Sequence, residues 1–247
     1  MKNRNLFNNL IICVVLILIS FGVYFFQVIY FHDVKETIFL LFQDLAFLPI
    51  SVILISYILE RYMNNKEKEE NFQKLQIVVS AFYSEIGTSL IKKISKFDKN
   101  LDEFNNNFNF EEALNEKNRK NILKEIQNYN YNIDSTTGNL VEVKELLLSK
   151  KTYITRMFEN PNLLQHSRFT DMVWAVYHII DELENRENID KLPKNDMIHL
   201  SIDLQRAYVM LIYEWYEYMS YLNKEYPYLF SLAIRKSPFI EKEIIFQ

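Results

Sequence analysis

Residues 38–59 read Ile-Phe-Leu-Leu-Phe-Gln-Asp-Leu-Ala-Phe-Leu-Pro-Ile-Ser-Val-Ile-Leu-Ile-Ser-Tyr-Ile-Leu, an apolar run with one charge, Asp44. About 22 such residues form a helix long enough to cross ~30 Å of hydrocarbon. The run leaves through Glu60, Arg61 and Tyr62 and passes a charged patch, Lys66 to Glu70. Apolar residues then recur at helical spacing: Phe72, Leu75, Val79, Phe82, Ile86, Leu90 and Phe97. No Gly or Pro lies between Pro49 and Gly87. The pattern predicts one continuous helix that starts in an apolar environment and ends in an aqueous one.

A second uncharged run occupies residues 10–31, again a length that spans a bilayer. Lys2 and Arg4 precede it, as in a secretory signal, but the run is too long and no small-x-small cleavage site follows, so a retained helix is expected. Residues 32–36 between the runs suit a tight hairpin loop. Basic residues flank the outer ends (Lys2, Arg4, Arg61, Lys66, Lys68), whereas the loop holds Lys35 among acids. The positive-inside rule then puts both termini in the cytoplasm of a multi-pass plasma-membrane protein, with the lipid bilayer as its first partner.

Within these spans Asp44 sits about six residues deep, ~9 Å at helical rise. A carboxylate there is costly and is expected to face a partner or water. In a hairpin, Tyr24 and Gln27 reach a similar depth. A polar clamp between helices is favoured over an ion path, because neither span carries a second charge. Pro49 removes one backbone hydrogen bond and is expected to kink the second span.

The remainder, with three Gly in the whole chain and no alternating strand pattern, reads as all-α. The expected division is a transmembrane hairpin at 1–62, a helical connector with a coiled-coil-like seam at 63–97, and a cytoplasmic bundle of about five helices at 98–247. The seam would pack on the domain, on a second copy of the chain, or on both, which makes a homo-oligomer the expected state. Residues 98–109 read as an Asn-rich loop, and 111–128, 139–158, 163–184 and 195–223 as helices. The last long helix carries one stripe through Leu204, Leu211 and Trp215 and a second apolar face through Ile198, Ile202, Val209, Tyr213 and Tyr216. A helix apolar on two faces belongs in the middle of a bundle. The aromatic C-terminus is expected to dock on that bundle.

A net charge of −4 offers no basic face for nucleic acid, and the single Cys13 allows no disulfide within one chain. No phosphate loop, nucleophile elbow or zinc motif occurs, so no catalytic residue and no cofactor is assigned. The remaining constellations are His178 with Glu182 and His199 with Asp203, each pair one helical turn apart; with Glu85 they define a metal-enzyme alternative. Helical projection turns His178, Asp171 and Glu182 toward solvent, and Asp203 with Arg206 suits a structural ion pair. His199, Asp203 and Arg206 are retained as a polar cluster. The aromatics of residues 213–228 read as core with an amphipathic rim rather than as a binding surface.

Three stretches carry a resemblance. Residues 43–49 followed by a second span and Glu60-Arg61, residues 82–87, and residues 226–235 with Pro238 and Phe239 resemble an uncharacterised bacterial and archaeal family of small two-span membrane proteins with a cytoplasmic helical domain. The resemblance implies architecture and supplies no site residues. The expected function is a membrane-tethered interaction or signalling module without enzymatic activity, with an unidentified cytoplasmic protein partner. The alternatives are a small oligomeric channel with Asp44 in a polar path and the metal-dependent enzyme.

Overall fold

The computed structural model describes residues 2–31, 34–107, 118–164 and 166–239. Among them the backbone is helical, and the extended pairing is an isolated antiparallel bridge between Asp98 and Ile133. The chain divides into two compact units, Met1–Lys68 and Glu69–Gln247.

The first unit holds α1 (Lys2–Phe31) and the start of α2 (Val34–Phe82). The expected loop at 32–36 is shorter than predicted. Val34, Lys35 and Glu36 form the first turn of α2, where a carboxylate favours the positive helix end; His32 and Asp33 lie outside the described residues. Pro49 stands inside α2 without ending it. Apolar side chains around the helices point outward, with Phe21 74% and Ile53 70% exposed. Among the described residues one helical stretch, Val34–Phe97, is long and apolar enough to cross a membrane; Val14–Tyr30 is a shorter apolar helix. The expected pair of full-length spans is therefore met by one stretch of spanning length.

In the second unit α2 runs into a π-helical turn (Tyr83–Gly87), then α3 (Thr88–Ile94) and a 3-10 turn (Ser95–Phe97). The π-turn carries an extra residue, and Phe82, Tyr83, Ile86 and Gly87 all face inward. Leu75, Val79, Phe82, Ile86, Leu90 and Phe97 are buried in their own unit, while Phe72 remains exposed. The seam expected at 72–97 thus packs on its own domain, one of the covers expected for it.

The predicted loop at 98–109 contains α4 (Leu101–Asn107). Asp98 starts it, its Oδ1 accepting from the Asn100 amide at 3.0 Å. Phe104 anchors it among the rings of Tyr129, Tyr131 and Phe239. A single buried ring inside an Asn-rich segment gives no periodicity to read. α5 (Arg119–Asn128) is the described part of the helix expected at 111–128; residues 111–117 lie outside the described residues. α6 (Leu140–Met157) is capped by Asn139, which accepts from the Glu142 amide at 3.2 Å and donates to its carboxylate at 3.1 Å. The helix expected at 163–184 is two pieces, α7 (Pro161–Leu164) and α8 (Ser167–Glu184). Thr170 bridges the break, donating to the Leu163 and His166 carbonyls.

α9 (Lys194–Glu225) is the central element, packed on α8, α5, α3, the π-turn and α10 (Pro227–Arg235). Its second apolar face is shorter than expected. Tyr213 and Tyr216 are buried, but Ile198 and Ile202 near its start are exposed. Phe239 docks against Trp215 with ring centres 5.4 Å apart.

Close approach explains Gly138. A Cβ there would lie 2.7 Å from the ring of Phe97, itself fully buried. Gly138→Ala should therefore destabilise the second unit by ~1–3 kcal/mol through overpacking. A lowered denaturation midpoint of the full chain in mild detergent checks this; an unchanged midpoint means Phe97 can move aside.

Candidate functional site

In the second unit a cleft of about 640 Å³ opens between the end of α2, the start of α5, the start of α8 and the middle of α9. The α2 wall is apolar, from Phe72, Leu75 and Val79, with Gln76 among them. α5 contributes Arg119, Lys120 and Leu123. His166 and Arg168 come from the break before α8 and its first turn; Tyr213, Glu214, Glu217 and Tyr218 come from α9. An adjoining chamber of about 510 Å³ shares Phe72, Gln76, Arg119 and Glu217.

The packing beneath holds these side chains in place. The Tyr83 ring of the π-turn stacks on Tyr218, centres 5.3 Å apart at 12°, and its hydroxyl donates to the Leu211 carbonyl at 2.9 Å. The Tyr218 hydroxyl shares a hydrogen bond with Ser80 at 3.2 Å. Arg168 lies over the Tyr213 ring, 4.7 Å from its centre, and donates to the Tyr213 hydroxyl. Arg119 makes a two-pronged ion pair with Glu217.

Glu214 stands apart from this pairing. It is 6% exposed and, among the described residues, has neither a hydrogen bond nor an ion pair. Burial pushes its carboxyl up to about 7, with nearby Glu217 adding to the shift and Arg168 opposing it. Gln76 Oε1 and His166 Nδ1 are likewise buried without a hydrogen-bond partner. Burial also holds the His166 imidazole below its ordinary value. Buried polar groups are normally satisfied, so a cavity lined by two that are not, beside a carboxyl with no hydrogen bond among the described residues, is the feature to explain.

The residues singled out from sequence fall elsewhere. The Tyr24 hydroxyl donates to the Asp44 carboxylate at 3.0 Å, which joins α1 and α2 as the clamp requires. Gln27 is half-buried and makes no hydrogen bond to Asp44 among the described residues. Asp203 accepts from Arg206 at 3.2 Å and faces His178 at 3.4 Å, an ion-pair cluster at the surface. His199 is exposed, and Glu85 is taken by Lys150 at 2.8 Å. Among the described residues no three His, Cys, Asp or Glu side chains converge as a metal site would need, so the metal-enzyme alternative loses its ligand set. Of the aromatic cluster, Tyr213, Trp215, Tyr216 and Tyr218 are buried, whereas Tyr226 and Tyr228 are exposed.

Glu214 has a consequence for stability. An unfolded carboxyl ionises near 4.5, while the folded one holds its proton to about 7. The folded state binds more protons between those values, so stability falls as pH rises from 4.5 to 7 and levels off above. The cost at higher pH is on the order of 3 kcal/mol. Glu214→Gln should raise the denaturation midpoint at pH 8, by ~1–3 kcal/mol in free energy, and much less at pH 5. Equal effects at both pH values would mean the carboxyl titrates normally.

The comparisons with known proteins concern family rather than activity. Residues 2–63 match the family model described as "MJ1433, N-terminal helical domain", and residues 71–235 the one described as "Uncharacterized protein MJ1433, C-terminal helical domain". These part where the two compact units part. "Uncharacterized protein MJ1433" of Methanocaldococcus jannaschii is 37% identical over 238 residues, covering 96% of each chain. No solved structure matches. With both of its helical domains matched, the chain belongs to the MJ1433 family of helical proteins.

Proposed function

We propose that the protein is a membrane-tethered helical binding module, anchored by residues 10–31 and 38–59 as a hairpin and carrying the Glu69–Gln247 unit in the cytoplasm. The observation that carries the anchor is the outward-facing apolar surface of residues 11–59, in which Leu, Ile, Val and Phe point outward on all sides. In water such a surface costs ~25 cal/mol for every Å² left uncovered, and lipid removes that cost. Basic residues flanking both runs favour the cytoplasmic placement of the two termini.

Asp44 acts in this reading as glue between the two helices. Its bond from Tyr24 uses the carboxylate within the hairpin, which favours the clamp over a polar path through an oligomer. Association of copies falls to the spans, because the seam at 72–97 is occupied by its own core. Binding rather than catalysis is assigned to the second unit, since its cleft offers unpaired polar groups, and Ser167 makes no hydrogen bond to the neighbouring His166 imidazole among the described residues.

Alkaline carbonate extraction of cell membranes tests the anchor. The full chain should stay in the membrane pellet, and release into the supernatant would overturn the tether. Asp44→Asn should remain in the membrane and leave ion flux unchanged in reconstituted vesicles. A changed flux would replace the clamp with a pore.

A further inference from the structure

The cleft sorts its unpaired groups by chemistry. Glu214 and Gln76 Oε1 are acceptors in its lining without a hydrogen bond among the described residues, and Gln76 Oε1 is shut off from solvent. Lys120 is exposed without an ion pair among the described residues, and Arg168 is exposed and hydrogen-bonded to Tyr213. Arg119 does not belong to this set, because Glu217 already neutralises it. Apolar side chains of Leu75, Val79 and Leu123 and the rings of Phe72 and Tyr218 line the rest of the cleft, and Arg168 lies close enough to Glu214 to act on its charge.

We propose that this cleft binds a small amphoteric organic molecule with an apolar body, its primary ammonium received by Glu214 and Gln76 and its carboxylate or phosphate held by Arg168 and Lys120. This deepens the reading of the second unit as a binding module and rests on it. Each charge of the ligand meets an opposite, unpaired partner, and its amine supplies the donors that the buried acceptors lack. Aromatic rings beside an ammonium add a cation–π attraction. At about 640 Å³ the volume suits a molecule larger than a lone ion.

The charge state of Glu214 then controls affinity. The groups facing it are Glu217, Tyr213 and Tyr218 on α9, Arg168 and His166 at the start of α8, and Arg119 and Lys120 on α5. Gln76 on α2, Tyr83 of the π-turn, and Asp171 of α8, which lines a smaller cavity with Glu214 and Arg168, belong to the same set. Glu217 and the burial hold its proton on; Arg168 and an arriving ammonium favour its loss. Binding therefore strengthens as pH rises through 7.

The test is calorimetric titration of the full chain in dodecyl maltoside with L-phenylalanine, phenethylamine (no carboxylate) and 3-phenylpropionate (no amine). Phosphoethanolamine and dihexanoylphosphatidylethanolamine carry the same two charges from a soluble and a lipid source. At least one amphoteric probe should bind tenfold or more tightly than both singly charged ones, and more tightly at pH 8 than at pH 6. Preference for the lipid over phosphoethanolamine would assign the source to the bilayer, and the reverse to the solution. Glu214→Gln, with helicity verified by circular dichroism, should weaken binding at least tenfold and remove its pH dependence. Arg168→Gln should weaken it while keeping that dependence. Failure of every amphoteric probe overturns the proposal, as does undiminished binding by Glu214→Gln. If 3-phenylpropionate binds as well as phenylalanine, the ligand class falls while the binding module stands.

Discussion

The hydroxyl of Tyr83, donating to the Leu211 carbonyl inside the core, is the interaction on which the second unit depends. A buried phenol needs a partner, and this one finds it on the central helix. The bond requires Tyr83 to face inward beside Phe82, and both are buried where the α-helix passes into the π-turn. The π-turn supplies the extra residue, and Thr88 closes it by donating to the Tyr83 carbonyl at 2.9 Å. From there the stack of Tyr83 on Tyr218 sets one wall of the cleft.

Strong periodicity made most of the fold legible. The helices ending near Phe97 and Asn223 were readable because their apolar residues repeat at three and four over many turns. Misses cluster where one side chain decides the outcome. Phe104 turns an Asn-rich stretch into a packed helix, and the two hydrogen bonds of Thr170 split a helix that composition alone joins. The seam at 72–97 shows a further limit. An apolar stripe says that a face will be covered, and the rest of the chain has to be placed before the cover is known.

Of the cleft little was legible, for a related reason. Its groups come from four segments, and spacing within any one helix carries no sign of the others. The His–carboxylate pairs one turn apart attracted notice by pattern, yet they lie on surfaces where ion pairs absorb them. Glu214 had one available signal: it is the lone acid in the run from residue 207 to 216, otherwise apolar or aromatic. A charge inside such a run is placed against its stability, which is the condition under which a site deserves to be sought.

Burial by itself does not make that case, as Asp98 shows. It is as buried as Glu214, 7% against 6% exposed, but its Oδ1 accepts from the Asn100 and Asn132 amides at 3.0 Å. Those bonds tie two segments of backbone and account for the residue as architecture. Glu214 makes no such bond among the described residues; it lines an open space with Gln76, and burial pushes its carboxyl up. The Tyr24–Asp44 pair in the first unit belongs with Asp98, since its carboxylate has found its donor within the chain. Asp98 leaves its Oδ2 without a partner while its Oδ1 holds two backbone amides, and Asp44 is held by Tyr24; of the three, Glu214 is the carboxylate with no hydrogen bond at either oxygen among the described residues.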